Sequence, residues 1–153
     1  MTVTGAVSAP ADPLALANRL RPVLLQLHRH LRRETLALGV TLGQVSLLAA
    51  IRDKPGIGAA ELAAREGMSV PSICSHVDKL EASGLATRNR DLVADRRRVG
   101  LVITAEGQKV LRSVRSRRTA WLASRLSTVT AAEVAAIDAA VDGLRALVER
   151  APA

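Results

Sequence analysis

Residues 68–107, MSVPSICSHVDKLEASGLATRNRDLVADRRRVGLVITAEG, contain signals for a helix, two strands and a second helix. Ser69 is a suitable N-terminal cap for the first helix, and Thr104 is a suitable cap for the second. Two short runs between them, 85–90 and 98–103, predict strands, and apolar residues alternate along the second. The stretch therefore predicts a helix followed by a β-hairpin wing.

Helical patterns occupy the chain on both sides of this stretch. Leucines at 4-3-4 spacing predict a long first helix after Asp12, and a capping box at 41–44 opens a second helix. A short third helix is predicted over roughly 58–66. Downstream, the helix that begins at Thr104 is followed by a capping box at 130–133 and a last helix. The predicted fold is mainly α with a small β-hairpin wing, in the order α-α-α-α-β-β-α-α.

The helix that begins at Ser69 has an apolar stripe of Ile73, Val77 and Leu80, which we expect to be buried. Short and polar side chains lie away from that stripe, and such side chains let a helix approach base edges in the major groove. Two short helices joined by a tight turn are typical of a helix-turn-helix. The candidate DNA-contacting residues of this helix are Ser69, Pro71, Ser72, Ser75, His76 and Lys79.

The net charge of +8 is concentrated in one segment, because residues 88–125 hold 11 basic and 3 acidic residues. A localised basic segment suits a polyanion, and a solvated basic face is the alternative. Trp121 is the only aromatic residue. Single-stranded nucleic acids are bound largely by stacking on aromatic rings, so the expected partner is double-stranded DNA.

An arginine-rich loop separates the two predicted strands. At the tip of a hairpin, arginines can reach the minor groove, where the narrow groove's negative potential attracts a guanidinium. The nearby Asp95 can orient an arginine fork. The candidate residues at this tip are Asp95, Arg96, Arg97 and Arg98, of which the arginines can enter the groove.

The run Asp95–Arg97, followed by Thr104 nine positions after the aspartate and by Gly107, resembles the D-R-R…L-T-x-x-G signature of the MarR family. Ile103 stands where the signature has leucine. Three further motifs match the family in register, and the resemblance covers roughly residues 14–150. These motifs are Thr41-Leu42-x-Gln44, Glu61-Leu62-Ala63 and Leu80-Glu81-x-x-Gly84-Leu85-x-x-Arg88.

The resemblance implies a dimeric bacterial transcription regulator, most often a repressor, that binds an inverted-repeat operator. It makes residues 69–83 the recognition helix, with Ser72, Ser75 and Lys79 as its main contacts in the major groove. Arg97 corresponds to the family's minor-groove arginine, which Asp95 would orient. The other candidate wing residues would supply phosphate contacts or wing salt bridges, and these are Arg88, Arg90, Arg96 and Arg98. The resemblance also implies a small anionic or aromatic effector that relieves DNA binding. The candidate effector residues are His28, Arg29 and Arg32, for which solvated or DNA-facing charge is the alternative.

The first, fifth and last helices carry long apolar stripes with few partners inside one subunit. Such stripes normally pair with another chain, so we predict a homodimer; a monomeric bundle is the alternative. The chain is predicted to divide into three regions. These are a disordered tail over 1–11, a helical dimerisation region over 12–37 and 104–150, and a winged helix-turn-helix lobe over 41–103.

Other classes of protein find little support in the sequence. No Gly-rich phosphate loop, paired-carboxylate cleft or nucleophile motif is present, so we expect neither an enzyme nor a cofactor. His28 and His30 point about 200° apart on a helix, so we expect no metal site. The alternative function is a winged-helix architectural or protein-interaction module that binds DNA nonspecifically.

The single cysteine, Cys74, excludes an internal disulfide and fits a reducing compartment. It is interpreted as a packing residue, with a redox switch as the alternative. No apolar run approaches the roughly 20 residues that span a membrane, and the N-terminus lacks the pattern of a signal peptide. We expect a cytoplasmic protein that associates with the nucleoid when bound to DNA.

Overall fold

A computed structural model of the chain describes residues 12–89 and 99–150. The described residues form six helices and one hairpin, in the order that the sequence predicts. The elements are α1 (Pro13–Leu36), α2 (Leu42–Asp53), α3 (Ala59–Glu66), α4 (Val70–Ala82), β1 (Ala86–Asn89), β2 (Gly100–Ile103), α5 (Ala105–Leu126) and α6 (Ala131–Glu149).

The hairpin is a two-stranded antiparallel sheet, in which Ala86 pairs with Ile103 and Asn89 pairs with Gly100. Each described strand is shorter than predicted, because Leu85 lies outside β1 and Val99 outside β2. The segment before α3 adds a single bridge to the free edge of β2. Leu101 donates its N–H to the carbonyl of Ile57 at 3.0 Å. The base of the hairpin is thereby tied to the start of α3.

The core lies in the middle of the chain and is entirely aliphatic, as the composition predicts. It contains side chains from α2, α3, α4, the hairpin and the first half of α5. Its fully buried members are large branched residues, which fill the space that aromatic rings occupy in other proteins. These members are Leu48, Ile51, Ile57, Leu62, Ile73, Val77, Leu80 and Val114.

The predicted caps account for where the helices begin. Thr41 and Gln44 form a capping box at the start of α2, and Thr130 and Glu133 form another at the start of α6. In each box, side chains satisfy backbone N–H groups that have no partner within the helix. At the other end of α3, Gly67 adopts a left-handed conformation with φ of 63°, which glycine tolerates without strain.

The start of α5 is packed against the chain that links α4 to the hairpin. The Thr104 hydroxyl donates a hydrogen bond to the carbonyl of Gly84 at 2.7 Å and accepts one from the N–H of Gly107 at 3.0 Å. A Cβ atom at Gly107 would overlap the carbonyl oxygen of Leu85 and lie 2.7 Å from Cγ1 of Ile103. Glycine is therefore required at this position.

The outer helices have apolar faces that their own chain leaves uncovered. In α1, which continues through Pro22, the only buried residue is Thr35, and α6 has no buried residue. Helix α1 packs against α5, where the Arg118 guanidinium donates two hydrogen bonds to the Thr35 hydroxyl, at 2.8 and 3.0 Å. Large apolar side chains exposed on α1 and α6 include Leu24, Leu27, Val134, Ile137, Val141 and Leu144.

Candidate nucleic-acid interface

Helix α4 presents the predicted polar face to solvent and buries the predicted apolar stripe. Ile73, Val77 and Leu80 are buried. His76 and Cys74 are half-buried at the edge of that stripe. The remaining candidate residues of the helix are exposed: Ser69, Pro71, Ser72, Ser75 and Lys79. The exposed face is thus made of short side chains and one lysine, which allows close approach to a groove.

Ser69 is partly used by the protein itself. Its Oγ accepts a hydrogen bond from the N–H of Ser72 at 3.3 Å, and the two hydroxyls lie 2.8 Å apart. This cap sets the N-terminus of α4, the end at which recognition helices commonly contact bases. Ser75 lies one turn further along the exposed face.

The two helices of the predicted helix-turn-helix, α3 and α4, pack against each other, and Leu62 of α3 and Ile73 of α4 both lie in the common core. The turn between them is short, because Gly67 reverses the chain and Met68 donates its N–H to the carbonyl of Ala63 at 2.9 Å. Helix α4 is therefore supported along its inner face by α3 and the hairpin. That support leaves its outer face free.

Arg88 of β1 joins the hairpin to helix α4. The Nη2 of Arg88 donates to Asp78 Oδ1 at 2.8 Å, and a second guanidinium nitrogen contacts the carboxylate of Glu81. The backbone N–H of Arg88 also donates to Glu81, at 3.0 Å. The hydrogen bond to Asp78, with the negative charge of Glu81, raises the pKa of Arg88 above its ordinary value. Arg88 thus forms a salt bridge between the hairpin and α4, and the phosphate contact named as its alternative role stays a prediction.

The two ends of this salt bridge can be tested separately. If Arg88 orients the wing through its carboxylates, Arg88→Gln and Glu81→Gln are both expected to weaken DNA binding by a few-fold. Each is expected to cost about 1 kcal/mol of stability or less, because the groups are partly exposed. Fluorescence anisotropy on DNA and urea denaturation measure the two effects. If Arg88 were instead a direct phosphate contact, Glu81→Gln would release it and leave DNA binding equal or tighter.

The tip of the wing lies outside the described residues. Five of the candidate wing residues fall there, and their DNA contacts stay predictions: Arg90, Asp95, Arg96, Arg97 and Arg98. The described strands β1 and β2 show that the chain on either side of this tip forms a hairpin.

The candidate effector residues His28, Arg29 and Arg32 are all exposed on α1. The cavity between α1 and α5, of about 390 Å³, is lined by other side chains. In it, the rings of His30 and Trp121 stack with centroids 5.0 Å apart, and Arg125 lies 5.6 Å from the Trp121 ring. The sequence alone does not predict this cluster, although Trp121 on the apolar side of α5 is a signal for it. The lining residues are Val23, Gln26, Leu27, His30, Trp121 and Arg125.

Within residues 12–89 and 99–150, no group of three or more His, Cys, Asp or Glu side chains is arranged to hold a metal ion. No helix among the same residues is long and apolar enough to cross a membrane. Cys74 is a free thiol on the half-buried edge of α4.

A helix-turn-helix with an exposed polar second helix, followed by a β-hairpin between that helix and α5, defines the winged helix-turn-helix class of DNA-binding proteins. Residues 38–98 match the model of the MarR family, and this range contains α2, α3, α4 and the first strand. Over these residues the chain resembles the MarR family.

Relatives and solved structures agree with this placement. An HTH-type transcriptional regulator of Mycobacterium tuberculosis is 29% identical over 137 residues, which are 90% of this chain and 95% of the relative. A structure from Pseudomonas aeruginosa superposes with a TM-score of 0.78 at 29% identity, covering 94% of this chain and 100% of the other. The structure of the transcriptional regulator Tm0710 from Thermotoga maritima superposes with a TM-score of 0.73 at 27% identity, and the match covers 90% of this chain and 96% of the other.

A further similar fold is that of the F27L mutant of MepR from Staphylococcus aureus, which was solved bound to an oligodeoxyribonucleotide. Its TM-score is 0.69 at 17% identity, and the match covers 88% of this chain and 98% of the other. The MarR family is a family of transcription regulators and not of enzymes.

Proposed function

We propose that the protein acts as a homodimeric repressor on an inverted-repeat operator. The observation that carries the proposal is the exposed face of α4, where Ser72, Ser75 and Lys79 are accessible and the opposite stripe is buried. In this proposal α4 enters the major groove and these side chains contact base edges or phosphates. A bound dimer represses by occupying DNA that the transcription machinery needs.

The dimer is supported by the apolar faces of the outer helices. Leu24, Ile137 and Val141 are 43–47% exposed in the single chain, and they lie on long helices at either end of the sequence. Pairing two chains through these faces would present two α4 helices about one DNA turn apart, which matches an inverted repeat. A protein of similar fold was solved bound to an oligodeoxyribonucleotide, which supports DNA binding by this fold.

The wing completes the interface in this proposal. Arg97, oriented by Asp95, enters the minor groove, and the neighbouring Arg90, Arg96 and Arg98 contact phosphates.

The proposal also includes an effector that releases the protein from DNA. This small anionic or aromatic molecule would bind near His28, Arg29 and Arg32 on α1. Each of these three side chains is exposed, so an anion can reach them.

Arg97→Ala is expected to weaken operator binding tenfold or more and leave the dimer folded, because a minor-groove guanidinium contributes to DNA affinity and not to the core. Arg150→Gln, which removes one positive charge at the end of α6, is the matched control and is expected to bind normally. Fluorescence anisotropy titration at a fixed salt concentration measures the operator affinity of both variants. Equal affinities of the Arg97 variant and the wild type would refute the assignment.

A selection from fragmented genomic DNA separates the repressor from the architectural alternative. A sequence-specific dimer enriches a discrete palindrome, whereas a protein that coats DNA enriches fragments without a common site. The exposed polar face of α4 favours the first result, because nonspecific binding needs only phosphate contacts.

A further inference from the structure

The six basic residues of α5 fall into two groups. Four of them contact their own chain, through ion pairs, hydrogen bonds or an aromatic ring. Arg112 and Arg115 differ, because neither forms an ion pair or hydrogen bond with any described residue. The four with partners are Lys109 (with Glu106), Arg117 (with Glu34), Arg118 (with Thr35) and Arg125 (with Trp121).

Arg112 and Arg115 line two shallow cavities that adjoin each other along α5. The first, of about 240 Å³, lies between α2 and α5, and the second, of about 470 Å³, continues along α5. Among the residues that the structure describes, the polar lining of both cavities consists of groups that can donate hydrogen bonds and includes no carboxylate. The remaining lining residues are Arg52, Gln108 and Leu111 in the first cavity, and Ser116, Thr119 and Ala120 in the second.

Arg52 reaches this surface from the last turn of α2. Its Nε and Nη2 donate to Asp53 Oδ1 at 3.0 and 2.8 Å, which restricts the orientation of the guanidinium. The same carboxyl group is 3.4 Å from Arg65, so its negative charge is shared between two arginines. The hydrogen bond from Arg52 accordingly lowers the pKa of Asp53. The electrostatic character of the surface is therefore positive.

We propose that these residues, here called the α5 arginine site (Arg52, Gln108, Arg112, Arg115, Ser116 and Thr119), bind a small ligand that carries two phosphate groups. A guanidinium can donate two parallel hydrogen bonds to the oxygens of a phosphate. The N–H groups of the Arg112 and Arg115 guanidinium groups are available for such bonds, because they bond to no described residue. Two adjoining cavities that share both arginines suit two linked anionic groups.

The site joins α2 of the DNA-binding lobe to α5, which leads out of that lobe. A ligand held by both helices would favour one angle between them, and so would alter DNA affinity; this consequence rests on the proposed operator binding. Binding of the ligand itself does not. The α5 arginine site contains none of the α1 residues proposed for the effector.

Sodium pyrophosphate is the probe, titrated into the full-length protein without DNA in a calorimeter at constant ionic strength. We expect saturable binding of one pyrophosphate per chain, with orthophosphate at least tenfold weaker. Arg112→Gln/Arg115→Gln is expected to weaken pyrophosphate binding at least tenfold, since charge-assisted hydrogen bonds are lost. Arg52→Gln provides an independent test on a different helix and is expected to weaken binding several-fold.

The control is Arg145→Gln/Arg150→Gln, which removes the same number of positive charges from α6 and its end, where neither residue lines the two cavities, and is expected to bind within about twofold of wild type. The proposal is overturned if the wild type shows no saturable heat, if orthophosphate binds equally well, or if the control loses as much affinity as the test variant. It is also overturned if the Arg112/Arg115 variant loses tenfold in DNA binding without ligand and shows a smaller salt dependence. That result would make the surface a DNA contact.

Discussion

Gly107→Ala is expected to lower the free energy of unfolding by about 3 kcal/mol, the upper part of the usual range for overpacking a core. The new Cβ would overlap the carbonyl oxygen of Leu85 and crowd Cγ1 of Ile103. The carbonyl cannot move alone, because it also accepts a hydrogen bond from the N–H of Thr104 at 3.1 Å. The overlap can therefore be removed only if α5 moves away from the hairpin.

Gly43→Ala is the matched control. Gly43 lies in the first turn of α2, and a Cβ added there would have the Thr41 hydroxyl as its nearest neighbour, at 3.9 Å. Alanine is expected to be neutral or to stabilise by up to about 1 kcal/mol there, because it favours a helix more than glycine does. Urea denaturation followed by circular dichroism measures both variants. Similar stabilities of the two variants would show that α5 is not held against Leu85 as described.

Ile137→Asp/Val141→Asp is expected to convert the proposed dimer to monomers and to reduce operator affinity by two orders of magnitude or more. These side chains are 47% and 43% exposed in the single chain, on the apolar stripe of α6. Burying each of these side chains in an interface contributes roughly 1.5–3 kcal/mol to the free energy of dimer formation. An aspartate at either position would have to lose its hydration without gaining a partner, which opposes dimer formation. The single chain buries no residue of α6, so its own core is unaffected.

Analytical ultracentrifugation measures the oligomeric state, and anisotropy on a palindromic operator measures affinity. Ala139→Asp places a negative charge on the other side of α6 and is expected to remain dimeric. A double variant that still sediments as a dimer would exclude α6 from the interface. A wild-type monomer would contradict the homodimer altogether, and would leave the winged helix-turn-helix fold unchanged.

The sequence predicted the elements and their order because their signals are local. Capping boxes at 41–44 and 130–133 satisfy N–H groups within three residues, and both are present in the structure. The stripe of Ile73, Val77 and Leu80 follows from helical periodicity alone, so the buried and exposed faces of α4 were also predictable. The strand lengths were less predictable, because pairing in a hairpin depends on a partner strand as well as on propensity.

Contacts between distant residues were not predictable in the same way. The stacking of His30 on Trp121 joins residues from opposite halves of the chain, and no periodicity within either helix indicates it. Likewise, the charge count identified a basic segment at 88–125 without distinguishing its members. The structure does distinguish them, because Arg117 and Arg118 lie against α1 while Arg112 and Arg115 do not.

The sequence by itself determined the helical order, the caps, the two faces of α4 and the resemblance to the MarR family, since each depends on residues a few positions apart or on a spaced motif. Only the tertiary structure decided why Gly107 must be glycine and which carboxylates hold Arg88. It also decided which arginines of α5 remain available to a ligand. The physical reason is that steric overlap and ion pairing depend on distances of a few ångströms between elements, and those distances arise only when the elements pack.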